Sequence, residues 1–113
     1  MKRISKPWGW ELWWAETDKY VGKHLHIDAG QSLSRQYHEV KDETIFITRG
    51  KLILEIGDGE EMERLVLSEG ENYHITPNTI HRFIAPLFGC ELMEVSTPET
   101  DDIIRLEDNY GRT

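Results

Sequence analysis

Nowhere in this chain does an apolar repeat of helical period persist for even about ten residues; short alternating or β-branched runs recur instead, each ended by glycine or proline. Residues 20–28 alternate, with Lys23, Leu25 and Ile27 on one side and His24 and His26 on the other. Ser34, Gln36 and His38 sit two apart, so an extended strand sends all of them from one polar face. Turn-like residues 39–42 then lead to Glu43 and a β-branched run over 44–48, which predicts a strand pair. Arg49-Gly50-Lys51 reads as a tight hairpin turn into 52–56, and Gly57-Asp58-Gly59-Glu60 as another into 62–67. After a turn over 68–71, short strands are expected at 73–75, 81–85 and 91–96. This pattern predicts an all-β sandwich or barrel.

With 113 residues the chain is expected to form a single domain over 1–113. Trp8, Trp10, Trp13 and Trp14 crowd the start; Trp8 and Trp10 share one parity with Leu12, and Trp13 takes the other. Such an arm is expected to pack on both sides, as core or as a dimer seam, the alternative being a carbohydrate-stacking platform. The closing residues 101–112 mix charge with apolar side chains and predict an ordered flap or strand.

The formal charge of −8 excludes a duplex nucleic acid as the expected partner, because counterion displacement needs a cationic face. No apolar run approaches the roughly 20 residues of a membrane span, and no secretory signal is expected at the N-terminus. Cys90 is alone, which fits a reducing, cytoplasmic setting. A small anion remains compatible with the charge, since a few local cations hold one phosphate.

Gln36, His38 and Glu43 offer an amide oxygen, an imidazole and a carboxylate at neighbouring points, and His81 offers a second imidazole. This donor set suits one borderline divalent metal; donor type alone does not choose among zinc, manganese, cobalt, nickel and iron. Glu94 shares a strand face with Leu92 and Ser96, where a carboxylate inside a small barrel is costly unless paired or functional, making it the acid/base candidate. Lys23, Arg82 and Arg105 are candidate anion holders, but Arg82 follows His81 and should point away from it. His24 and His26 are either an accessory pair or ordinary strand histidines.

Gly30, Gln36, His38, Glu43 and Gly50, then Gly70, Thr76, Asn78 and His81, follow the spacing of the two motifs of the cupin superfamily, which they resemble. Gln36 stands where that family's first histidine is expected, and Thr76 and Asn78 replace the usual proline and glycine. A longer resemblance runs through Lys6-Pro7-Trp8-Gly9-Trp10, Leu33-Ser34-Arg35-Gln36-Tyr37-His38 and residues 102–112. These look like the type II mannose-6-phosphate isomerase cupin domain, commonly preceded by a guanylyltransferase domain that this sequence lacks. Where that family often continues with further histidines, Glu39 and Val40 follow His38 here.

The resemblance implies a small cupin barrel (double-stranded β-helix, or jelly roll) holding one divalent metal. Its implied activity is interconversion of mannose 6-phosphate and fructose 6-phosphate, with Glu94 and Lys23 as catalytic candidates and Lys23, Ser34 and Arg105 on the substrate. Alternatives are a non-catalytic sugar- or sugar-phosphate-binding cupin and an iron-dependent cupin oxygenase. A homodimer is expected, because pairing covers strand edges and the tryptophan-rich arm.

Overall fold

The computed structural model describes residues 1–112; Thr113, the end of the expected domain, lies outside the described residues. Its strands are β1 (Lys2–Lys6), β2 (Gly9–Glu16), β3 (Val21–Ile27), β4 (Arg35–Tyr37), β5 (Glu43–Ile56), β6 (Glu63–Ser68), β7 (Asn72–Ile75), β8 (His81–Ile84), β9 (Cys90–Ser96) and β10 (Ile104–Glu107). A 3-10 turn at Gly59–Glu61 is the sole helical element among the described residues. All pairings between strands are antiparallel.

β5 joins two layers. Its first half pairs with β9 and β7, extending a layer ordered β1-β2-β3-β9-β5-β7. From Lys51 to Ile56 it pairs with β6 and β8, in a layer ordered β6-β5-β8-β4-β10. The change of layer falls at Gly50, whose φ is 74° and where an added Cβ would stand 2.8 Å from the Gly89 carbonyl oxygen. The register with β9 shifts beside it, between Ile47 and Arg49. Arg49-Gly50-Lys51 is therefore a crease in one continuous strand, not the expected hairpin turn. The positive φ that closes a hairpin also permits a bulge that re-aims a strand.

A second expectation also fails. β4 does not pair with β5, because β8 lies between them, with Gln36 opposite His81 on one side and Ile56 opposite His81 on the other. Residues 39–42 carry the chain from one layer to the other, so His38 and Glu43 face each other across the interior.

Alternation supplies that interior. On β3 the odd residues Val21, Lys23, Leu25 and Ile27 are buried, and on β9 the even residues Cys90, Leu92, Glu94 and Ser96. Leu25, Leu92 and Ile47 lie on one register line, and Ile27 and Cys90 on the next. With Leu52, Leu54 and Phe83 from the opposite layer they form the apolar core. The tryptophan arm packs on both faces as expected: Glu11 and Trp13 turn inward, Trp10 and Trp14 outward. The expected tail strand is β10, beside β4.

Candidate metal centre and cavity

The polar end of the interior is built from two register lines. In one layer Lys2, Trp13, Lys23, Glu94 and Ile45 are successive neighbours across β1, β2, β3, β9 and β5. In the other, His81, Gln36 and Arg105 are neighbours across β8, β4 and β10. Glu43, at the start of β5, and His38, just past β4, close the gap between the layers. A cavity of about 360 Å³ opens here, lined among others by Lys23, Ser34, Gln36, His38, Glu43, Glu94 and Arg105.

Within it Glu43 Oε1 lies 3.3 Å from His81 Nε2 and 3.6 Å from His38 Nε2. Each histidine has its other nitrogen 2.8 Å or less from a backbone carbonyl: His38 Nδ1 is 2.6 Å from that of Asp102, and His81 Nδ1 is 2.8 Å from that of Thr79. A carbonyl only accepts, so both Nδ1 atoms carry a proton and both rings turn Nε2 toward Glu43. Gln36 Oε1 and His81 Nε2 are buried with no hydrogen-bond partner among the described residues. An orphaned buried polar atom costs about 1–3 kcal/mol unless a bound group satisfies it. Ligand atoms of His38, Glu43 and His81 all fall within 4.8 Å of one another, and the group could hold a metal ion.

Lys41, which no motif had singled out, is buried beside this group, with Nζ 3.0 Å from Glu43 Oε2 and 3.6 Å from Glu94 Oε2. Burial opposes its charge, but the carboxylates of Glu94 and Glu43 outweigh burial and hold the ammonium above its usual range. For Glu43, burial is overcome by contacts with His38 and His81 and then by Lys41, which keep the carboxyl well below its usual range. Glu94 moves the other way. Burial first, then the charge of Glu43, push it up to about 7 against the pull of Lys41 and Lys23. Two carboxylates a few ångströms apart thus differ widely in proton affinity, a common feature of acid/base sites.

Asp102 was missed as well. Its carboxylate accepts from the backbone N–H groups of Glu39 (3.1 Å), Val40 (2.7 Å) and Lys41 (2.9 Å), while its carbonyl fixes the His38 ring. The backbone N–H groups of Lys41, Val40 and Glu39 hold its carboxyl below the usual range. Residues after β9 therefore close the loop that joins the two halves of the candidate centre.

Other candidates lie elsewhere. Arg82 points away from the cavity, as its parity required, and is a buried structural group donating Nε to the Leu33 carbonyl (3.0 Å) and Nη2 to Asn109 (2.9 Å). His24 and His26 face outward and share Glu91, at 2.9 and 3.1 Å, and His26 stacks on Trp10. Trp10 also has Arg3 over its ring at 4.6 Å, and Trp14 is the exposed tryptophan of the arm, at 44%. Asn78, in place of the motif glycine, takes a φ of 64°, a conformation asparagine tolerates. No helix among the described residues is long and apolar enough to cross a membrane.

Comparison with known proteins agrees with this architecture. The chain is 31% identical over 99% of its length to the xanthan biosynthesis protein XanB of Xanthomonas campestris, covering 24% of that protein. It is 30% identical over 98% of its length to a mannose-1-phosphate guanylyltransferase of Escherichia coli, covering 23% of it. The chain thus spans about a quarter of the length of the curated relatives it matches. The solved structure of KdgF from Halomonas sp. superposes with a TM-score of 0.77 at 20% identity, covering 89% of each chain, a likeness of fold alone. The cupin domain family matches residues 23–87, which include all of Gln36, His38, Glu43 and His81. On that match and on its barrel of antiparallel strands, the chain belongs to the cupin family.

Proposed function

We propose that this cupin is a divalent-metal-dependent aldose–ketose isomerase acting on a hexose 6-phosphate, interconverting mannose 6-phosphate and fructose 6-phosphate. The observation that carries it is the pair of unpartnered buried atoms Gln36 Oε1 and His81 Nε2, with His81 Nε2 and His38 Nε2 3.3 and 3.6 Å from Glu43 Oε1, beside the Glu94 carboxyl pushed up to about 7. The relation to mannose-1-phosphate guanylyltransferases favours a mannose-derived substrate.

Gln36, His38, Glu43 and His81 would hold the metal, with the Asp102 and Thr79 carbonyls fixing the two rings. When bound, the cation supplies Lewis acidity toward the carbonyl and hydroxyl oxygens of the sugar. The chain supplies the proton handling. Aldose–ketose exchange shifts one hydrogen between adjacent carbons and one between their oxygens. Glu94, with a pKa of about 7, is half-ionised near neutral pH and can take a proton from one carbon and return it to the next. Lys41, fixed between Glu43 and Glu94, keeps both carboxylates in place and holds positive charge where oxygen becomes anionic. Lys23, Ser34 and Arg105 line the cavity and would bind the phosphate.

The test is turnover. Protein reconstituted with zinc, manganese, cobalt, nickel or iron and given mannose 6-phosphate should yield fructose 6-phosphate with at least one of them. Absence of product with all five would remove the isomerase reading and leave a sugar-phosphate-binding cupin.

A further inference from the structure

Residues 97–112, which follow β9, line the cavity through Thr100, Asp101, Ile103, Arg105 and Arg112. The same segment seats the loop that carries His38 into Glu43. Thr97 donates its backbone N–H to the Asp42 carbonyl, and Asp42 donates its own to Thr97 Oγ1, both at 3.0 Å. Asp102 accepts the N–H groups of Glu39, Val40 and Lys41 on its carboxylate, and the His38 ring on its carbonyl. All four backbone N–H groups of residues 39–42 are thus donated to the segment after β9.

That segment is itself lightly held. None of residues 97–112 is buried, whereas Cys90, Leu92, Glu94 and Ser96 on the strand just before are. β10 pairs with β4 alone, at the edge of its layer, and the register shifts between Arg105 and Glu107. Beyond β10, Asn109 donates Nδ2–H to Ser32 Oγ at 2.9 Å, and Tyr110 donates its hydroxyl to Gln31 Oε1 at 2.5 Å. The Tyr110 ring, half-buried, packs against the core. A segment fixed by solvent-exposed hydrogen bonds, with little apolar area buried, lies at the low end of local stability and opens before the barrel does. Ordering it costs conformational entropy, which something bound at the centre can offset.

We propose that residues 97–112 form a lid coupled to the metal centre, opening readily in the metal-free chain and held shut over the cavity when a divalent cation is bound. This rests on the metal-dependent reading above and adds the regulation of that site. His38 is the link, because its Nδ1–H is given to the lid at Asp102 while its Nε2 faces Glu43. Fixing Nε2 at the centre holds the ring where the Asp102 carbonyl accepts it, and holds residues 39–42 where their N–H groups meet the lid. Such a coupling is reciprocal: loosening the lid at a point that is no metal donor must weaken the metal.

Hydrogen exchange of the full chain, with and without saturating zinc, reads the lid directly. Zinc should slow amide exchange in residues 97–112 about tenfold or more, and leave residues 90–96 unchanged. Tyr110→Phe keeps the ring and removes only the hydroxyl, whose partner Gln31 is not among the metal donors. It should speed exchange of the lid and weaken zinc about fivefold or more in competition with a chelator. Tyr20→Phe, the same change at an exposed tyrosine, should alter neither. Zinc that binds while exchange of residues 97–112 stays as in the metal-free protein overturns the lid and leaves the metal reading standing. Tyr110→Phe with a faster-exchanging lid and wild-type zinc affinity likewise overturns the coupling alone. A wild type that takes up no zinc overturns both.

Discussion

The two ends of the barrel interior are built from the same strands and the same alternation, yet they obey opposite rules. On β3, Leu25 and Ile27 face a dry core while Lys23, two residues earlier, faces a cavity. On β9, Cys90 and Leu92 join that core while Glu94 joins the cavity, and on β5 the inward series runs Glu43, Ile45, Ile47. At the apolar end each side chain is satisfied by contact with its neighbours, and nothing further is needed. At the polar end Glu11, Lys23, Lys41, Glu43 and Glu94 are all at most 7% exposed, and Gln36 Oε1 and His81 Nε2 remain without partners. Burial at one end stabilises the fold; at the other it opposes the fold and sets proton affinities. The contrast teaches where this chain keeps buried polar groups at the expense of stability.

The sharpest way to break the contrast is Glu94→Gln. If the polar end is catalytic, turnover of mannose 6-phosphate in the metal-loaded protein should fall by about 10²- to 10⁴-fold, measured as initial rates. At the apolar end the expected loss is of stability, not of chemistry. Leu92→Ala leaves a cavity in a fully buried layer and should cost roughly 2–5 kcal/mol in urea unfolding, with the metal-binding donors untouched.

The same Glu94→Gln variant should behave oppositely in the metal-free protein. A carboxyl raised from 4.5 to about 7 binds its proton more tightly in the folded state. Wild-type stability therefore falls as pH rises through that window, and is not penalised below it. Glutamine removes the penalty, so the variant should be more stable than wild type by roughly 1–3 kcal/mol at pH 8. The advantage should shrink toward zero near pH 4, and a constant advantage at both pH values would show that titration is not its cause. Smallest is Asp102→Ala, which releases the backbone of residues 39–41 and should weaken metal binding about tenfold in a competition titration with a chelator.

Sequence and structure part company at identifiable places. Alternation on β3 and β9 placed Lys23 and Glu94 inward, because a strand buried on one face leaves no other register. The spacing of Gln36, His38, Glu43 and His81 pointed to one centre; His38, Glu43 and His81 do come together, with Gln36 lining the same cavity, although by facing layers and not through the strand pair expected of β4 and β5. Lys41 and Asp102 were not legible. Lys41 sits in a turn whose composition reads as solvated, and its burial depends on Asp102, 61 residues away, accepting its backbone N–H. Gly50 was read as a turn because the same left-handed glycine serves a hairpin or a crease, and only the pairing of β5 with partners in both layers decides between them.

Elemental analysis of the purified protein, reconstituted with divalent metal and passed through gel filtration, reaches the central claim most directly. Wild type should retain metal in proportion to protein, and His81→Ala and Gln36→Ala should lose it while remaining folded. Wild type that emerges without metal, or an His81→Ala variant that keeps the full complement, would contradict the assignment of Gln36, His38, Glu43 and His81 to a common cation.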